Sequence, residues 1–112
     1  MRNMSFFLTT TAIKNKTKTH TIRDGWKDAE PGLEVAAVVK ARGLRPNETI
    51  QRLATIRFLT VQRRPLDTIT QDEVIAEGFP DWTPAQFVQW FTIKAKCAPA
   101  YVLTFISFTY TS

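Results

Sequence analysis

The sequence predicts an α+β domain. Segments near 33–40, 53–61 and 101–110 read as strands, the last two by alternation of apolar and polar positions. Two segments opened by threonines, at Thr70 and Thr83, read as short helices. In chain order this gives a strand, a helix, further strands, two short helices and a final strand. That order is compatible with a small mixed barrel whose helices cap one end, although periodicity alone leaves several α+β folds open. A chain of 112 residues makes one domain with a modest core. Met4 precedes the first core-like residues, so residues 1–3 read as a dispensable extension.

Ser5 to Thr10 begins apolar and ends in hydroxyls, which suits a first strand. Thr9, Thr10 or Thr11 then caps a short helix through Lys16. Thr19 to Arg23 carries β-branched residues at Thr19, Thr21 and Ile22 and reads as extended. Its pleat aims Thr21 and Arg23 to one face, with Lys18 just before them, and His20 and Ile22 to the other. Asp24-Gly25 and Glu30-Pro31-Gly32 are turns. Leu33 to Lys40 is the clearest core strand, and Arg42 to Glu48 is a surface loop. Leu53 to Val61 alternates, with Ala54, Ile56, Phe58 and Thr60 on one face.

Thr70 and Glu73 form a capping box for a helix that runs to about Glu77 and stops at Gly78. Thr83 is the N-cap of the next helix, with Pro84 at its favoured first position. Phe87, Trp90 and Phe91 share its apolar face, and a basic loop, Lys94 to Pro99, follows. Tyr101 to Tyr110 closes the sheet.

Composition narrows the class. Hydrophobic residues make up 44% and aromatic residues 12%, which fits a packed domain rather than a disordered chain. The formal net charge of +5 tilts toward a polyanionic or phosphate-bearing partner. A single cysteine, Cys97, forms no internal disulfide and suits a reducing compartment, so a cytoplasmic location is expected. One cysteine and one histidine do not make a usual structural zinc site, so neither a metal nor another cofactor is expected. No apolar run approaches the roughly 20 residues that cross a bilayer, and no membrane partner is expected. The chain is expected to be a monomer or weak dimer.

The densest chemistry lies in Lys14 to Asp24. Four basic residues, three threonines, the only histidine and one acid occupy eleven positions. Cations interleaved with hydroxyls suit an anionic or strongly polar ligand, and they also suit a solvated basic hairpin. Apolar Phe6-Phe7-Leu8 before it and Ile22 within it favour a segment held against a core.

Lys18-Thr19-His20-Thr21-Ile22-Arg23-Asp24 resembles the signature loop of the activating-signal-cointegrator homology (ASCH) family, a small PUA-like β-barrel. The family motif is G-x-K-x-x-E-x-R. Lys18 and Arg23 match it, Lys16 stands at the glycine, and Thr21 stands at the glutamate. Glycine can supply a positive φ there, so Lys16 puts the loop backbone at issue. The threonine form is similar to the branch with K-T-x-T-I-R-D, which hydrolyses N(4)-acetylcytidine without a metal. The resemblance spans Phe6 to Tyr110 and implies a mixed PUA-like barrel with capping helices. It assigns catalysis to Lys18, Thr21 and Glu77.

Each residue also has an ordinary reading. A lysine becomes a base or nucleophile when burial or a neighbouring cation lowers its pKa, and Lys16 and Arg23 are near Lys18. Thr21 offers a hydroxyl as nucleophile or oxyanion donor, or is a plain strand residue. Glu77 ends a helix, where negative charge is unfavourable, so a positive partner is expected. Arg23 and Lys16 are candidate ligand contacts. Trp82, and then Trp26, are candidate stacking partners for a base, while Trp90 reads as core. His20 is expected to point away from the cluster. The resemblance implies one of two functions: an amidohydrolase acting on a modified cytidine, or a module that binds or cleaves RNA. In the second, Lys16, Lys18, Arg23, Arg42, Arg45, Arg63 and Arg64 form a basic phosphate groove.

Overall fold

The computed structural model describes residues 1–112. Five strands form one mixed sheet: β1 (Asn3–Ser5), β2 (His20–Arg23), β3 (Glu34–Val38), β4 (Arg52–Pro65) and β5 (Val102–Tyr110). Their spatial order is β1-β3-β4-β5-β2, with β1 parallel to β3 and every other pair antiparallel. Helix α1 spans Thr10–Lys14, α2 spans Gln71–Ala76 and α3 spans Pro84–Ala95. Single 3₁₀ turns precede α1 at Phe7–Thr9 and α2 at Leu66–Thr68. The α+β class holds.

The two edge strands do not pair, so no backbone ladder closes the sheet. A side chain spans the gap instead. Arg23, the last residue of β2, donates from Nη2 to the carbonyl of Ser5, the last residue of β1, at 2.6 Å. Its guanidinium also lies 4.8 Å from the centre of the Phe6 ring.

The first residues are part of the sheet. Asn3 pairs with Ala36, and the Ala36 N–H donates to the carbonyl of Arg2 at 2.9 Å. Residues 2 and 3 are therefore not a free extension, because they satisfy an otherwise open edge of β3. The predicted first strand is also displaced. Phe6 to Thr9 leaves the extended conformation for a 3₁₀ turn, and Thr9 makes no side-chain cap to α1.

β4 is longer than its pattern indicated because a bulge at Leu59 breaks the alternation. Phe58 pairs with Phe108, but Thr60 already pairs with Ser107, so Leu59 is unpaired and exposed. Before the bulge Ala54, Ile56 and Phe58 are buried, as alternation predicts. β5 is buried on both faces. Ile106 and Phe108 join a core with Met4, Phe6, Ile13, Val35 and Ile56. Leu103 and Phe105 join a second core with Ile22, Leu66, Val74 and Phe87. Truncating one of these phenylalanines to alanine is expected to cost about 3–5 kcal/mol.

Both predicted helix starts hold. Thr70 and Glu73 exchange hydrogen bonds in a capping box, and Thr83 does the same with Gln86. α2 stops at Gly78, whose φ of +107° is costly for any residue with a Cβ. A Cβ there would also lie 3.3 Å from the Ala12 side chain, so glycine lets the end of α2 rest against α1. This contact sets Glu77 beside the segment that leads into β2.

Candidate active site

The segment before β2 is fixed on three sides. The Lys18 N–H donates to the carbonyl of Ala12 in α1, and the Thr19 N–H to that of Ala76 in α2. The Tyr110 hydroxyl of β5 donates to the Lys18 carbonyl at 2.6 Å. Lys18 thus enters the interior from a rigid backbone. Its Nζ donates to the Glu77 carbonyl at 2.7 Å and to Glu77 Oε1 at 3.0 Å. A cation on the open carbonyls of a helix C-terminus is favourable. Lys18, Thr21 and Glu77 are all buried. The positive partner expected for Glu77 is Lys18.

His20 corrects the sequence reading. Its Nδ1 lies 2.6 Å from Glu77 Oε2, so it belongs to the cluster. Lys18 and His20 differ by two positions and reach the same carboxylate, one on each oxygen. The chain continues outward: His20 Nε2 lies 3.5 Å from Glu73 Oε2, and Arg64 grips Glu73 with bonds of 2.8 and 3.0 Å. Burial raises the Glu73 carboxyl, but hydrogen bonds from Arg64 and Thr70 outweigh it and hold the group below its ordinary range.

Thr21 and Arg23 do share a face. Arg23 Nε donates to Thr21 Oγ1 at 3.0 Å. That bond fills a lone pair of the hydroxyl and leaves its O–H free to donate elsewhere. Burial pushes Arg23 down to about 10, so it stays cationic at neutral pH. Burial also pushes the Lys18 ammonium down, against an opposing pull from Glu77 and with a smaller push from Arg23.

These groups meet in one cavity of about 310 Å³. Lys18, Thr21, Arg23 and Glu77 supply its polar wall, and Phe6, Phe79, Trp90 and Phe91 are among its apolar residues. The exposed Phe7 and Leu8 form part of its rim. A small apolar cavity with a few convergent polar groups is the usual form of a small-molecule site.

The other sequence candidates are dispersed. Trp82 is outside this cavity; it stacks behind Phe79 with ring centres 4.4 Å apart. Trp90, read as core, does pack against the second core and also lines the cavity, which helical spacing alone does not indicate. Trp26 lines a different cavity under the guanidinium of Arg2, 3.9 Å away. Lys16 is exposed, sits outside the cavity and has a φ of 59°, the left-handed geometry expected of the motif glycine. The seven cations do not form one groove. Arg42 lines the cavity of Trp26, and Arg45 pairs with Glu48 in an exposed loop. Arg63 donates to Thr104 and to the carbonyls of Asp24 and Val102, while Arg64 is held by Glu73.

No family model matches the chain, and no curated protein does. The fold is similar to the crystal structure of protein EF3133 from Enterococcus faecalis V583, described under the family model DUF984. The TM-score is 0.70 at 18% identity, over 98% of this chain and 79% of that one. At this identity the likeness shows the fold. Two further absences are plain: no helix is long and apolar enough to cross a membrane, and no histidine, cysteine and carboxylate group is placed to hold a metal.

Proposed function

We propose that the cavity is the active site of an amidohydrolase that removes an acyl group from the exocyclic nitrogen of a modified cytidine. The observation that carries this is convergence. Lys18, Thr21 and Glu77, named by a short motif and a distant helix end, line one cavity beside aromatic rings. The resemblance supplies the substrate and the expectation of a PUA-like barrel, with Arg23 bridging the open edges.

The chemistry closes on these groups. Water adds to the acyl carbon and gives a proton to Glu77. The Thr21 hydroxyl donates to the oxygen that becomes negative, and Arg23 holds it in that direction. Lys18 gives a proton to the exocyclic nitrogen as the C–N bond breaks. Glu77 then returns a proton to Lys18 across their 3.0 Å contact. The products are the carboxylic acid and cytidine. Phe79, Trp90 and Phe91 offer apolar faces for the pyrimidine ring.

Ultraviolet-monitored turnover of N(4)-acetylcytidine tests the reading. Lys18→Ala and Glu77→Gln are each expected to lower kcat by roughly 10²–10⁴. Absence of turnover by folded wild-type protein, or variants as fast as wild type, would overturn it.

A further inference from the structure

A second cavity, of about 630 Å³, meets the first at Ser5 and Arg23, which line both. Its wall carries four cations, Arg2, Arg23, Lys40 and Arg42, and no acid. Arg2 pairs at 3.6 Å with Asp28, which is highly exposed, and Arg23 feels the Glu77 carboxylate of the first cavity. Asn3 adds an amide, and the indole of Trp26 closes one side. Trp26 has a φ of 58°, which non-glycine residues rarely adopt, and its ring meets the edge of Phe58. The backbone is therefore held in an uncommon form that presents this indole, with Arg2 over its face. The indole is a wall for Arg2 rather than an open platform for a base.

Arg23 is the hinge between the two spaces. Nε is committed to Thr21 and Nη2 to Ser5, but Nη1 has no hydrogen-bond partner in the protein. Guanidinium groups match the oxygens of a phosphate in a forked geometry, and a wall of four cations with no acid among its lining residues attracts an anion. A neutral nucleoside offers such a wall hydrogen-bond acceptors but no counter-charge.

We propose that the second cavity binds a phosphate ester carried by the nucleoside whose base occupies the first. The preferred substrate is then a nucleotide or an acylated residue in an RNA strand, with the free nucleoside a slower substrate of the same site. This rests on the amidohydrolase reading for what happens in the first cavity, whereas anion binding in the second has its own readout.

That readout is NMR of the indole N–H groups. Inorganic phosphate should move Trp26 and leave Trp90 in place, and cytidine monophosphate should move both. Lys40→Ala/Arg42→Ala should abolish the response to inorganic phosphate, and Arg42→Glu should do so alone if the double variant is poorly folded. In turnover, N(4)-acetylcytidine 5′-monophosphate should exceed the nucleoside in kcat/KM by about tenfold or more at low salt, chiefly through KM, with the gain eroded by added salt. The double variant should bring that ratio toward one. An acetylated single-stranded oligonucleotide that exceeds the monophosphate, with a steeper salt dependence, identifies an RNA strand as the source; equality identifies the small nucleotide. Movement of both indoles with no turnover of any substrate would retain the phosphate site and sink the hydrolase reading. A nucleoside turned over as well as its monophosphate, with Trp26 unmoved by phosphate, overturns the proposal.

Discussion

Lys18 Nζ lies 2.7 Å from the main-chain oxygen of Glu77 and 3.0 Å from its carboxylate, so one ammonium both caps α2 and neutralises a buried acid. Removing it strands a carboxylate that is almost wholly out of water. Lys18→Met is expected to cost about 3–5 kcal/mol of stability. Lys18→Met/Glu77→Gln should recover part of that, because the neutral amide needs no counter-charge. Urea denaturation of both variants checks this. A double variant no more stable than Lys18→Met would show that the two side chains are not coupled.

The alkaline limb of activity belongs to Lys18 if it acts as the acid. Burial lowers its pKa from the ordinary 10.5, so kcat should fall at a pH short of that value. Arg23 contributes a push in the same direction. Arg23→Gln removes that positive neighbour, favours the protonated lysine and should move the limb to higher pH, even at reduced rate. Tyr110→Phe serves as the control. Burial pushes the Tyr110 hydroxyl up to about 12, so its titration lies above the limb and its removal should leave the limb in place. A limb that moves with Tyr110 and not with Arg23 would reassign the acid.

Lys16 is a local misfit that glycine would relieve. Its φ of 59° costs an ordinary residue about 1–2 kcal/mol. Glycine removes that cost but frees the unfolded chain, which takes back about 0.5–1 kcal/mol. Lys16→Gly should therefore leave stability unchanged or raise it by up to about 1.5 kcal/mol, with turnover retained because Lys16 is outside the cavity. Lys16→Val should be destabilising, since a β-branched residue is worse in this region. Thermal melts should place Lys16→Gly at or above wild type and Lys16→Val below it; a loss for Lys16→Gly would contradict the assigned geometry.

The legible parts of the chain were those set by local rules. Thr70 with Glu73 and Thr83 with Pro84 specify helix starts through side-chain bonds a few residues apart, and both starts are where the sequence places them. The link from Lys18 to Glu77 was legible only through the resemblance, because the two are 59 residues apart. Two signals were less direct. Leu59 is an ordinary strand residue by type, and its bulge follows from pairing β4 with β5. His20 sits on the strand face opposite Thr21, and that alternation is correct, but it does not decide which face Glu77 reaches. Parity with Lys18, two residues earlier, was the available signal. Trp90 shows the same limit: α3 packs it against the second core beside Phe87, as its spacing indicates, but its second role as a cavity wall has no local signal.

His20 positions Glu77 without lining the reaction cavity itself. A carboxylate accepts, so Nδ1 carries the hydrogen in the 2.6 Å contact and fixes the Oε2 side of Glu77, while Lys18 fixes Oε1. Without the ring, the carboxylate can rotate away from the lysine axis. His20→Ala should lower kcat by about 10²-fold with KM little changed, the scale of a small misplacement of a reacting group. His20→Asn places an amide N–H near the position of Nδ1 and should restore part of the rate; His20→Gln, with its amide one carbon farther out, should restore less. A ring needed only for packing would give the reverse pattern, with stability falling in every variant and kcat per folded molecule unchanged. Steady-state kinetics of the three variants, normalised to the folded fraction, separates the two outcomes.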